Sequence, residues 1–189
     1  VPGSAQEKDR KMDQDILAVA AGIKMLVIDV DGVMTDGGLY YDSLGRVMKR
    51  FNVQDGLGIK LAQATGLNLA VMSGLSSPAV QSRVKELGIK HYFHGFRNKV
   101  PLIEQLAAEE DISLKEMAYL GDDWVDAGPM LRVGLPMAVA NAQPEILGIA
   151  RWISRKAGGH GAVREAVMFI LRSQNKLEKQ WEKWTTLND

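Results

Sequence analysis

Three nearly unbroken apolar runs in this chain end abruptly on acidic or hydroxyl-bearing residues, and that pattern restricts the fold more than any other feature. Ile23 to Val30 runs into Asp29 and Asp31, Leu67 to Met72 into Ser73-Gly74, and Met117 to Leu120 into Gly121-Asp122-Asp123. A strand wet on one face alternates polar and apolar residues, whereas a continuous run needs cover on both faces, as in a parallel sheet. Helix-like segments fall between the runs: Asp55 to Ala64 stopped by Gly66, Pro78 to Leu87, about Lys99 to Glu109, the stretch after Asp123 to about Arg132, and Gly161 to Leu171. His91 to Phe93, Leu135 to Val139 and Trp152-Ile153 supply further short strands, and Asp13 can cap a helix through Ala21. The repeated strand–helix units predict an α/β fold: a doubly wound, Rossmann-like parallel sheet, helices on both faces, ligands at the carboxyl ends of the strands. One segment breaks the alternation. Leu39 to Tyr41 and Val47 to Phe51 flank Asp42-Ser43-Leu44-Gly45, a β-hairpin signal.

A chain of 189 residues fits one domain. Residues 1–12 read as a tag remnant (Val-Pro-Gly-Ser) and a flexible N-terminus, and 13–173 as the single domain. Residues 174–189 read as a tail with Leu177, Trp181 and Trp184 at helical spacing. The formal net charge is zero, which offers no broad attraction for nucleic acid or an anionic membrane. No apolar run approaches the roughly 18 residues of a membrane span. Glu7 to Lys11 is too charged for a secretory signal. The absence of cysteine excludes disulfides and thiolate chemistry and suits a reducing cytoplasm.

The chemistry concentrates at the strand ends. In Asp29-Val30-Asp31-Gly32-Val33-Met34-Thr35-Asp36, Asp29 can attack phosphorus, while Asp31 can protonate a departing alcohol and later activate water. Gly32 lets backbone N–H groups approach a phosphate. The Ser73 hydroxyl and the amide beside Gly74 can hold phosphoryl oxygens. In Gly121-Asp122-Asp123-Trp124-Val125-Asp126, a carboxylate meeting Asp29 makes an all-oxygen site suited to Mg²⁺. Lys99 can neutralise the phosphate and its attacker, without which a carboxylate cannot approach a phosphate dianion.

Taken in order, Asp-x-Asp-Gly-x-x-Thr-Asp, Ser, Lys and Gly-Asp-Asp-x-x-Asp resemble the haloacid dehalogenase superfamily of phosphohydrolases. Phe51 to Ile59 and Gly158 to Glu165 are similar to the 3-deoxy-D-manno-octulosonate (Kdo) 8-phosphate phosphatases. That resemblance implies the haloacid dehalogenase fold and hydrolysis of a small sugar phosphate in lipopolysaccharide synthesis. It implies Mg²⁺ held by Asp29, the main-chain carbonyl of Asp31, and Asp122. It also implies substrate contacts from Asp31, Gly32, Asn52, Val53, Gln54, Asp55, Gly56, Lys60, Gly74, Arg83 and Lys99, with Asp123 and Asp126 in support. Two positions depart from the family pattern: Leu75 and Gln54 stand where these enzymes usually carry Arg, and each removes a cation.

Blander readings compete at several positions. Asp36 suits a loop hydrogen bond, one of Asp123 and Asp126 a helix cap, and Lys60 and Arg83 solvated helix charges. His91, His94 and His160 lack metal-ligand spacing, and Gly158 to Gly161 could be a flexible helix entry. A receiver-type signalling domain places its phosphorylated Asp on the third strand, whereas Asp29 is on the first. A non-catalytic oligomerisation module and a phosphatase for another sugar-acid phosphate remain as alternatives. The segments between the motifs leave no room for a separate cap domain. A neighbouring subunit is therefore expected to close the site, through the hairpin at 38–51, in what the family resemblance implies is a homotetramer.

Overall fold

The computed structural model describes residues 14–186; Asp13 and the expected tag remnant lie outside them. The chain enters through a helix ending at residue 21 (α1, described from residue 14) and alternates from there. The strands are β1 (Met25–Asp29), β2 (Tyr40–Tyr41), β3 (Val47–Met48), β4 (Asn68–Ser73), β5 (His91–His94), β6 (Met117–Gly121), β7 (Leu135–Ala138) and β8 (Trp152–Ile153). The helices are α2 (Val53–Ala64), α3 (Pro78–Leu87), α4 (Val100–Glu109), α5 (Trp124–Met130), α6 (Pro144–Ile149), α7 (Ala162–Ser173) and α8 (Leu177–Thr185).

Six strands form one sheet in the order β5-β4-β1-β6-β7-β8, every pair parallel. β1, β6 and β7 are buried at every residue, so helices cover both faces, as their unbroken apolar sequence requires. From β1 the chain passes outward to β4 and β5, then returns across β1 to β6. That reversal opens a crevice at the carboxyl ends of β1 and β6, where such sheets bind ligands. Asp29 ends β1, and Asp122 follows the last residue of β6.

β2 and β3 form the expected antiparallel hairpin. Its turn is held by the Asp42 carboxylate, which accepts from the amides of Leu44 and Arg46, both at 2.9 Å. Regular pairing stops at Met48, short of the expected Phe51, yet Phe51 still bridges Thr35 beside the first acidic loop. α6 was not expected: six residues around a glycine are too few to show helical periodicity. α8 is the helix implied by the tail stripe. Its Leu177, Trp181 and Trp184 face Leu57, Leu61 and Met168 across an apolar groove of about 540 Å³.

Candidate active site

The first acidic loop departs from β1 through a tight π-type turn over Val30–Met34, within which Asp31 and Gly32 leave helical geometry. Gly32 takes φ 93°, a left-handed conformation open to glycine, and a Cβ there would stand 2.0 Å from Asp122 Oδ2. Only glycine lets the first and third acidic loops meet this closely. Thr35, fully buried, ties the turn: its hydroxyl donates to Val30 O and accepts from the amides of Gly32 and Gly37, each at 3.3 Å. Asp36 fills the expected loop role, accepting from the Gly38 amide at 3.0 Å.

Asp29 is 4% exposed and ion-pairs with Lys99, itself 1% exposed. The Lys99 ammonium also donates to Asp126 Oδ1 at 2.7 Å. Asp126 is fully saturated. Oδ1 accepts from Lys99 and from the Tyr119 hydroxyl at 2.8 Å, while Oδ2 accepts from the amides of Asp122 and Asp123 at 3.0 and 3.4 Å. Asp126 thus orients Lys99, and Asp123 caps α5 by accepting from the Trp124 amide at 2.7 Å. Ser73 is buried at the end of β4, one residue beyond the partner of Asp29, and accepts from the Leu75 amide at 3.2 Å.

The electrostatics are those of a site short of positive charge. Burial works against the Lys99 charge, but Asp29 and Asp126 outweigh it and raise its pKa, so it stays an ammonium. Burial, then the Asp126 charge, raise the Asp29 carboxyl well above its ordinary value despite Lys99. Burial, with Asp126 and Asp123, pushes Asp122 up to about 7. Carboxylate oxygens of Asp29, Asp122 and Asp126 lie within 4.8 Å of one another. Asp126 is spent on its four donors, while the Asp122 carboxylate has no donor among the described residues. Hard oxygen ligands, a shared crevice and uncompensated negative charge fit a divalent cation such as Mg²⁺.

The other expected contacts divide. Asn52 caps α2, accepting from the Gln54 amide at 2.8 Å and donating to Gly159 O at 3.3 Å, and Val53 and Gln54 are exposed at its start. Asp55 is turned to α7, where it accepts from the amides of Gly161 and Arg164 at 3.3 and 2.8 Å. A Cβ on Gly56 would meet the Arg83 guanidinium at 2.4 Å. Arg83 itself pairs with Glu86 and donates to Asn52 O at 3.4 Å. Lys60, roughly 10 Å along α2 from Val53, donates to Leu87 O at 2.7 Å, at the end of the sheet opposite the acidic loops. Leu75 and Gly74 begin the loop between β4 and α3. The histidines serve structure: His91 pairs with Glu110 at 2.9 Å, and His160 contacts Gly158 O at 2.7 Å.

Two groups escaped the sequence reading. Lys49 ion-pairs with Asp31, and Tyr119 braces Asp126. A lysine among the hairpin's several cations and a tyrosine in an apolar strand carry no local signal. Gly158 and Gly159 pack on the back of the acidic loop, where a Cβ on Gly158 would lie 1.6 Å from Gly32 O.

Known proteins resemble this chain in sequence and in fold. Residues 93–166 match the family of haloacid dehalogenase-like hydrolases. The 3-deoxy-D-manno-octulosonate 8-phosphate phosphatase of Escherichia coli is 39% identical over 165 residues, covering 87% of this chain and 88% of that protein. A probable phosphatase from Pseudomonas syringae superposes with a TM-score of 0.90 at 42% identity, covering 93% of this chain and 99% of that one. The Moraxella catarrhalis phosphatase, solved with magnesium, phosphate and Kdo, superposes with a TM-score of 0.88 at 36% identity, covering 90% and 98%. The chain belongs to the haloacid dehalogenase-like hydrolases and, within them, to the 3-deoxy-D-manno-octulosonate 8-phosphate phosphatases.

Proposed function

We propose that this protein hydrolyses Kdo 8-phosphate to Kdo and inorganic phosphate through a phospho-aspartate on Asp29, a step toward lipopolysaccharide taken in the cytoplasm. The observation that carries the reading is the buried Asp29–Lys99–Asp126 chain set beside Asp122 at the sheet crevice. An Asp29 oxygen attacks phosphorus, the bond to the sugar oxygen breaks, and Asp31 gives its proton to that oxygen. Water then attacks the phosphoryl group, Asp31 takes a proton back, and Asp29 is released as a carboxylate. Lys99 stays charged throughout and offsets the approach of like charges. Mg²⁺ bound by Asp29, Asp122 and the main-chain oxygen of Asp31 would supply the remaining positive charge. Ser73 and the amides near Gly32 and Gly74 would hold phosphoryl oxygens.

A homotetramer joined through the hairpin supports this chemistry by closing the site. Leu39, Tyr40, Tyr41, Leu44 and Met48 are all at least half exposed, an apolar cluster unusual on a solitary hairpin. No described helix is long and apolar enough to cross a membrane. A phosphate-release screen tests the substrate, comparing Kdo 8-phosphate with other sugar-acid phosphates and simple hexose phosphates. The specific observation favouring a different sugar acid is Leu75, which sets an apolar, half-exposed side chain at the start of the loop after β4, where the family resemblance implies Arg. Turnover of Kdo 8-phosphate no faster than of a hexose phosphate would defeat the assignment.

A further inference from the structure

The two aspartates of the first loop are secured in unlike ways. Asp29 is gripped from within the sheet by Lys99. The Asp31 carboxylate has one partner among the described residues, and it comes from outside the core: the ammonium of Lys49, on the hairpin. The Lys49 side chain is 2% exposed against 32% for Asp31, so the pair is closed on the lysine side and open on the carboxylate side. An ammonium buried this far is costly unless paired, which makes Asp31 its fixed position rather than a passing contact.

The backbone holds Lys49 in register. It directly follows β3 and lies two residues before the Phe51–Thr35 bridge, so paired backbone flanks it on both sides. Arg50, the next residue, donates to Gly159 O at 3.1 Å and pairs with Asp36 at 3.5 Å. Two consecutive cations therefore each hold an aspartate of the acidic loop, Lys49 on Asp31 and Arg50 on Asp36. Lys49 also lines a cavity of about 450 Å³ with Leu39, Tyr41, Arg46, Leu75 and Ser77, and the buried Ser77 hydroxyl has no partner.

Resting on the phosphatase reading above, we propose that Lys49 is a positioning residue for Asp31. Its ammonium holds Oδ1 of the Asp31 carboxyl group and leaves Oδ2 to carry the proton to the leaving oxygen of a phosphate on Asp29, so that the hairpin sets the geometry of proton transfer. Losing such a clamp costs rate rather than affinity, because a misplaced acid still leaves the substrate bound.

The test measures Kdo 8-phosphate and p-nitrophenyl phosphate with Lys49→Met and Lys49→Arg, each alone and combined with Asp31→Asn. Lys49→Met should lower kcat on Kdo 8-phosphate about 10- to 100-fold with KM within about twofold. The loss on p-nitrophenyl phosphate, whose leaving group needs little acid, should be about tenfold smaller. Lys49→Arg should recover most of the rate. In the Asp31→Asn background, Lys49→Met should cost less than about twofold more. Equal losses on both esters, or a full further loss in the Asp31→Asn background, would make Lys49 merely structural. A raised KM with kcat kept would make it a substrate contact. Either result overturns the proposal. Should the wild type spare Kdo 8-phosphate but hydrolyse another alkyl phosphate, the substrate reading alone fails, and the comparison proceeds on that ester.

Discussion

Stripping divalent cations from this protein should make its stability fall as pH rises, the reverse of the usual behaviour of carboxylates. Asp122 supplies the magnitude. Its ordinary value of 3.8 is pushed up to about 7 in the fold by burial and by Asp126 and Asp123. Between those values the folded state holds a proton that the unfolded chain has lost, so raising the pH favours unfolding. The full separation is worth roughly 4 kcal/mol, of which about 2 kcal/mol falls between pH 5.5 and 8.5. Asp29, raised by burial and Asp126, adds in the same direction. Lys99, raised above an already high value, stays protonated in both states across this window and contributes nothing. Urea unfolding in EDTA at the two pH values should therefore show a drop of about 2 kcal/mol or more. Saturating Mg²⁺ should stabilise more at the higher pH and largely abolish the slope, because it binds the deprotonated carboxylate. Asp122→Asn should flatten the slope without metal. A flat or rising profile in EDTA, or an unchanged slope in Asp122→Asn, would refute the claim that these carboxylates crowd a site short of positive charge.

Other substitutions separate the remaining roles. Asp29→Asn should abolish turnover, and beryllium fluoride trapped on the wild type should be found on Asp29 by crystallography; an adduct elsewhere contradicts the nucleophile assignment. Tyr119→Phe removes one of two donors on Asp126 Oδ1 and should cost about 1–2 kcal/mol in urea unfolding, with a several-fold loss of kcat as Lys99 loosens. Gly158→Ala drives a methyl into Gly32 O and should cost about 3 kcal/mol and most activity, measured together by thermal melting and phosphate release. Tyr40→Glu with Met48→Glu, cross-strand partners on one exposed face of the hairpin, should convert the proposed tetramer to smaller species by sedimentation and lower activity at nanomolar concentration. A fully active monomer would count against a shared site.

The sheet was legible because its signal is local and repeated. Ile23 to Leu26 and Met117 to Leu120 are apolar at every step but Lys24, and the burial of β1 and β6 on both faces is what such runs demand. The helices of ten residues or more announced themselves by periodicity and by punctuation such as Pro78 and Gly88. α6 has neither the length nor the pattern. The Asp29, Lys99 and Asp122 constellation was legible for a different reason. Asp29 ends a strand, Asp122 follows one and Lys99 precedes a helix, so the topology alone carries all three to one crevice.

What could not be read locally is which partner a long side chain chooses. Lys60 and Lys49 are both cations near the motifs, and of the two the family resemblance implied Lys60 as a substrate contact. Yet Lys60 lies two turns into α2, and an α-helix moves it about 10 Å down the sheet, where the free carbonyls ending α3 capture it. Lys49 lies closer to the acidic motif along the chain, 18 residues from Asp31, and on a hairpin that folds back over it. The isolated bridge between Thr35 and Phe51 is what returns it to Asp31. The same logic separates Asp55 from the active aspartates. It begins a helix, as a substrate ligand might, but the amides at the start of α7 reach it first, through the close contact that Gly58 allows with Arg164. Elements place the backbone to within a turn; whether a charge serves chemistry or a neighbouring helix end is decided by which unsatisfied group that turn brings within reach.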